Sequence, residues 1–165
     1  MASILNRFTE EEEVDLQSDK YLTFLIENQF YAFPIRDVLE IIEVQQSTPL
    51  PEFPAYVKGI INLRGRIIPI IDVRLRFHKE EAAYTERTCI IVVNISDMDI
   101  GFIVDTVDEV IDIEPDNISA APALSSDRSS KYITGVGKAN NRIILLLDAN
   151  KLLNEEEVSS LKAIG

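Results

Sequence analysis

One pattern constrains this 165-residue chain more than any other: it repeats itself. Laid without a gap over residues 132–148, residues 56–72 keep Tyr56/Tyr132, Gly59/Gly135, Arg66/Arg142, Ile67/Ile143, Ile68/Ile144 and Asp72/Asp148, and most other positions keep their polarity. Nearer the start of each half, Val38-Leu39-Glu40-Ile41-Ile42 matches Val107-Asp108-Glu109-Val110-Ile111. The two matches fall in the same order, so the chain reads as two related β modules. Whatever the fold is, its plan must be buildable twice.

The repeated stretch is KGIINLRGRIIPIIDV, residues 58–73, in which two apolar strings flank Asn62-Leu63-Arg64-Gly65. That is a hairpin with an arginine at its tip, and the second copy has no arginine in its turn. Short β-rich runs fill most of the remainder: 20–26 and 29–33 around Glu27-Asn28, 38–44, 88–95, a Ser96-Asp97-Met98-Asp99 turn, then 100–113 as one long strand or two. Three prolines in STPLPEFP, residues 47–54, mark an irregular connection, and 119–130 reads as loop. The last hairpin spans 131–138 and 142–147, and Asn154 with Glu157 three residues on has the form of a capping box. Many short strands at regular spacing predict an all-β fold with short helices, built as two small barrels side by side. The expected layout is a flexible acidic leader over 1–19, a first barrel at about 20–80, a polar link from His78 to Glu86, a second barrel at about 88–153 and a helix at about 154–163, with strand exchange between barrels left open.

Composition excludes several functions. A net charge of −12 spread over both halves opposes nucleic-acid binding, which needs clustered Lys and Arg. One cysteine, Cys89, rules out an intramolecular disulfide and suits a reducing cytoplasm. No apolar run approaches the roughly 18 residues of a membrane helix, so a soluble protein without membrane insertion is expected. His78 lies in a polar link and Cys89 in an apolar strand, a poor pair for nucleophilic catalysis. No His or Cys cluster has metal-ligand spacing. Gly135-Val136-Gly137-Lys138 fails as a phosphate loop, because Tyr132 and Ala139 occupy the places of its first Gly and its Ser or Thr. Asp105-Thr106-Val107 lacks the glycine of an aspartic protease loop. The expectation is therefore no enzyme, no metal and no cofactor. Asp72 and Asp148, each closing an apolar strand, fit N-capping, and Gly59 and Gly135 fit close backbone approach or positive φ.

A binding module remains, and Arg64 is its most informative residue. A guanidinium suits recognition of carboxylates or backbone carbonyls, although an arginine could also simply solvate the hairpin tip. The arrangement of Asn62-Leu63-Arg64-Gly65, Pro69, Ile70-Ile71-Asp72 and Arg74 after Tyr56-Val57-Lys58-Gly59 resembles the CheW-like family of bacterial chemotaxis coupling proteins. The likeness continues through Tyr31, Val38-Leu39-Glu40-Ile41, Ile103-Val104-Asp105, Val107, Val110, Tyr132-Ile133-Thr134-Gly135 and Asp148 to Leu153, and covers residues 20–161. The acidic leader has no counterpart in it.

The resemblance implies two five-stranded SH3-like β-barrels around a shared apolar core. It implies an adaptor that joins the cytoplasmic tip of a chemoreceptor, a methyl-accepting chemotaxis protein, to the regulatory domain of the histidine kinase CheA, in the cytoplasm and attached to membrane receptor arrays through those partners. It places Val38, Glu40, Arg64, Val107 and Val110 at a receptor-docking groove between the barrels, with Arg64 as polar anchor oriented by Glu40. Kinase contact falls to the end of the first barrel, at Ile42 and Val44. The rival reading is a generic SH3-like peptide-binding module with no chemotaxis role, which the lack of tryptophan and the dispersed Tyr and Phe disfavour.

Overall fold

The computed structural model describes residues 19–121 and 131–164. Its elements run β1 (Lys20–Ile26), β2 (Gln29–Pro34), a 3-10 turn, β3 (Val38–Glu43), β4 (Val57–Leu63), β5 (Arg66–Asp72), α1 (Val73–Arg76), β6 (Cys89–Ile95), β7 (Met98–Val104), β8 (Thr106–Asp112), a second 3-10 turn, β9 (Ile118–Ala120), β10 (Ile133–Ala139), β11 (Arg142–Leu147), a third 3-10 turn and α2 (Glu155–Lys162). Five strands form one sheet in the order β3-β6-β7-β5-β4, and six form the other in the order β8-β1-β2-β11-β10-β9. Neither ladder closes on itself among the described residues, so each SH3-like subdomain is an open sheet with two edges. The acidic leader lies outside the described residues but for Asp19, as does most of the loop expected over 119–130.

Turn chemistry sets the hairpins. Glu27-Asn28, Arg64-Gly65, Ser96-Asp97 and Asn140-Asn141 each join two paired strands, and in all four both residues have positive φ. Such two-residue turns carry the right-handed twist of the strands they connect. The turn near residue 96 therefore closes in two residues, and Met98 and Asp99, expected within it, already belong to β7. The run 100–113 is two strands broken at Asp105. Ser119 and Ala120, expected in a loop, belong to β9, which pairs with β10. The cause is local: a Cβ on Gly135 would stand 3.0 Å from Ile118 Cγ2 and 3.1 Å from Ser119 O, so glycine permits this approach. That strand is the sixth member of the larger sheet.

The sheets do not follow the sequence halves. Hairpin β6–β7 of the second half sits between β3 and β5 of the first, and hairpin β1–β2 of the first sits between β8 and β11 of the second. Each insertion is held by one antiparallel and one parallel pairing: β3·β6 and β5·β7 in one sheet, β1·β8 and β2·β11 in the other. Pro69 is tolerated within β5 because the parallel ladder to β7 begins one residue later, at Ile70.

Three apolar clusters result among the described residues. The main one draws Leu22, Phe24, Phe33, Val38, Ile91, Phe102, Val104, Val107, Tyr132 and Leu147 from both halves. Ile61, Ile68, Ile70, Ile90, Val92 and Ile103 fill the inside of the five-stranded sheet, and Ala32, Ile113, Ile144 and Leu146 fill the other. Strand β6 shows how sequence encodes this. Cys89, Ile91 and Val93 face the main core while Ile90 and Val92 face the sheet's own cluster, so the strand is buried on both sides and reads as an unbroken apolar run.

At the junction of the halves, Arg76 of α1 is buried between the repeat-related Tyr56 and Tyr132, its guanidinium carbon 4.6 and 4.8 Å from their ring centres. Its Nε donates to Leu152 O at 2.6 Å, tying α1 to the segment that leads into α2. Asn154 and Glu157 start α2 with a reciprocal capping box.

Candidate docking site

Among the described residues, strands β3 and β8 are edges of their sheets, and both carry a bulge at the same place in the repeat. Pairing to β6 runs Val38↔Val93 and then Glu40↔Val92; pairing to β1 runs Val107↔Phe24 and then Val110↔Leu22. One inserted residue changes which side chains share a face. Val38 and Ile41, three apart, both enter the main core, where simple alternation would have turned them to opposite faces. Val107 does the same on β8, and Val110 packs on the same cluster. On β8 the bulge is braced by Thr23, whose hydroxyl accepts the Glu109 N–H at 3.1 Å and lies 2.9 Å from Glu109 O and 3.1 Å from Asp108 Oδ2.

Arg64 is the first residue of the β4–β5 turn, at φ 52, with its side chain largely exposed. It meets Glu40 through a two-pronged contact: Nη1 donates to Oε2 at 2.9 Å and Nη2 donates to Oε1 at 2.6 Å. This hydrogen bonding holds the Glu40 carboxyl below its ordinary range, against a smaller opposing effect of burial, and raises Arg64. The turn is fixed in its own right, since Gly65 N donates to Asn62 Oδ1 at 2.8 Å. A cation is thus presented on a rigid tip above the β3 edge, its plane set by the glutamate.

Ile42 and Val44 point elsewhere: both are half-buried and pack on the cluster inside the five-stranded sheet, not on the main core. Asp72 accepts the Leu75 N–H at 3.2 Å at the start of α1, and Asp148 accepts the Asn150 N–H at 2.9 Å at the third 3-10 turn. Burial pushes the Asp72 carboxyl up, against the Leu75 N–H and the charge of Lys58. Gly59 has φ 141, and a Cβ there would stand 2.2 Å from Thr48 O. Cys89 is buried and its thiol is pushed up by that burial. Among the described residues no group of His, Cys, Asp and Glu could hold a metal ion, and no helix is long and apolar enough to cross a membrane.

Sequence reasoning gave no role to the repeat-related arginines Arg66 and Arg142. Arg66 pairs with Asp99 of β7, itself held by Asn94, and Arg142 pairs with Asp108 of β8. Both arginines were visible as an identity of the repeat, but their acids lie on strands of the other half or across the exchanged seam, where no local pattern points.

The model of the CheW-like domain matches residues 20–157. The chain belongs to the CheW-like domain family. Chemotaxis protein CheW of Klebsiella aerogenes is 36% identical over 140 residues, covering 85% of this chain and 84% of that protein. CheW of Bacillus subtilis is 32% identical over 142 residues, covering 86% and 91%. The CheW fold is also present, because the crystal structure of the scaffolding protein TtCheW from Thermoanaerobacter tengcongensis superposes with a TM-score of 0.78 at 33% identity, covering 84% of this chain and 96% of that one.

Proposed function

We propose that this protein is a chemotaxis adaptor that holds the cytoplasmic helical tip of a chemoreceptor and the regulatory domain of the histidine kinase CheA in one signalling array. Its work is binding, without transformation of a substrate, in the cytoplasm beside membrane-borne receptors. The observation that carries this reading is the Arg64–Glu40 contact: a guanidinium pre-oriented by two hydrogen bonds at the tip of a rigid hairpin, over an edge strand whose Val38 anchors in the core. Exposed pairs of this kind add little stability, so the sense of the geometry is positional. Membership of a family whose relatives are chemotaxis and scaffolding proteins supports it further.

In this reading the receptor lies against the edges β3 and β8, on Val38, Glu40, Arg64, Val107 and Val110, while the kinase domain takes Ile42 on β3 and Val44 just beyond its end. The test mixes the protein with a receptor cytoplasmic fragment and the kinase and follows co-sedimentation and autophosphorylation. A ternary complex with altered kinase activity is expected. Unchanged activity with no ternary complex would remove the proposal. Arg64→Ala should weaken receptor binding on the order of tenfold with an unchanged melting temperature.

A further inference from the structure

The duplication gives each residue of the β3 edge a counterpart on the β8 edge. Glu40 corresponds to Glu109, Leu39 to Asp108, Arg66 to Arg142 and Arg64 to Asn140. The second edge therefore lacks the tip arginine and gains an acid. Its cation comes from the start of β11: Arg142 Nη1 donates to Asp108 Oδ2 at 3.0 Å and lies 3.9 Å from Glu109 Oε1. Its guanidinium carbon sits 4.5 Å from the centre of the Phe30 ring on β2, where the first module has Asp99 facing Arg66. In the first module two arginines divide the work between Glu40 and Asp99. In the second, one arginine on an aromatic platform serves both bulge acids.

This cluster faces outward. The side chains of Arg142, Asp108 and Glu109 are 39%, 29% and 49% exposed. Phe30 fixes the plane of the guanidinium before any partner arrives, and Thr23 fixes the bulge from which the two carboxylates project. Among the described residues the Arg142 guanidinium makes a single hydrogen bond, to Asp108, and a guanidinium has five N–H donors. Donors held beside acceptors match a carboxamide, whose carbonyl oxygen accepts from Arg142 while its NH2 donates to Asp108 or Glu109. A bare carboxylate would meet repulsion from the two acids, and an ammonium would meet the arginine.

We propose that Arg142, with Asp108 and Glu109, is a second specificity-determining anchor for the same helical partner, reading an asparagine or glutamine side chain from the β8 side. The inference rests on the receptor-docking reading, with which it is continuous: Val107 and Val110 flank the bulge that carries the two acids. A receptor contacting both edges is gripped at two points of different chemistry, so the two-fold likeness of the halves does not leave it a choice of two orientations.

The test titrates a receptor cytoplasmic fragment into full-length protein carrying Arg142→Ala, Arg142→Lys or Asp108→Asn, with Arg64→Ala alongside, at low and high salt, and follows each variant's melting. Arg142→Ala should weaken binding on the order of tenfold. Arg142→Lys should recover little, because an ammonium offers neither the flat fork nor the stack on Phe30. Asp108→Asn, which keeps the shape of the bulge, should weaken binding less, and the losses should persist at high salt because the partner group is uncharged. Wild-type affinity for Arg142→Ala together with a weakened Arg64→Ala overturns the second anchor and leaves the docking reading standing. Wild-type affinity for both variants overturns the docking reading itself. A loss on Arg142→Ala that vanishes at high salt overturns the carboxamide, and a loss matched by a collapse in melting temperature for both Arg142→Ala and Asp108→Asn shows a structural brace instead.

Discussion

Asp72 and Asp148 hold the same place in the repeat, and each side chain caps the turn that follows it. Burial separates them, for Asp72 is 2% exposed and its carboxyl is raised above the ordinary aspartate range. A folded-state pKa above the unfolded one means that the folded chain holds the proton more tightly. That contribution to stability is complete below the unfolded pKa and is lost as pH rises through the raised value. Asparagine caps a helix equally well and has no charge to desolvate. Asp72→Asn should therefore gain stability relative to wild type between acid and neutral pH and converge with it in acid, which denaturant melts across a pH series would show. A wild-type advantage that grows with pH would mean that Lys58 and the Leu75 N–H outweigh burial. The capping role itself was legible, since an aspartate after an apolar strand and before helix-compatible residues has few other uses. Its depth was not, because burial of Asp72 depends on strands brought in from the other half.

Among the elements, the four two-residue turns of the described residues differ in how well local sequence suits a positive φ. Only Arg64-Gly65 has a glycine, while Ser96 and Asp97 adopt φ 50 and 65 without one. A left-handed backbone costs an ordinary residue roughly 1–2 kcal/mol. Ser96→Gly should raise stability by about 0.5–1 kcal/mol, less than that full cost because glycine also loosens the unfolded chain; urea melts measure it. Strand positions were readable to within a residue or two, since alternation and apolar runs are properties of the strands themselves. The bulges on β3 and β8 were not. They exist because Val38 and Ile41, and likewise Val107 and Val110, must reach one core from an edge, a demand made by tertiary packing alone. The same holds for β9, which depends on the missing Cβ of Gly135 across the sheet. Glu40–Arg64 could be foreseen from the family pattern, whereas Arg142–Asp108 could not.

At the level of the whole molecule, the repeat announces two modules but not that each lends a hairpin to the other. Periodicity fixes which residues turn inward and leaves open which sheet a strand joins, and the polar link at 78–86 looks the same in either case. The exchange has a measurable result. A fragment of residues 20–80 lacks β6 and β7, which occupy the middle of its own sheet, and should show no cooperative unfolding and a disordered circular dichroism spectrum. Mixed with residues 88–165 it should regain both, to a degree set by concentration; an autonomously folded 20–80 fragment would contradict the interleaving. Because much of the pairing joins residues far apart in sequence, folding should fall on the slower, millisecond-to-second side.

The interleaved hairpins also bear on assembly. A gene encoding one module could reach this architecture only as a swapped homodimer, its central strands donated by a twin, at the mercy of dilution. Carried in one chain, the exchange is unimolecular and its two edges are free to differ: one bears Leu39 beside the tip arginine Arg64, the other Asp108 and Glu109 beside an arginine seated on Phe30.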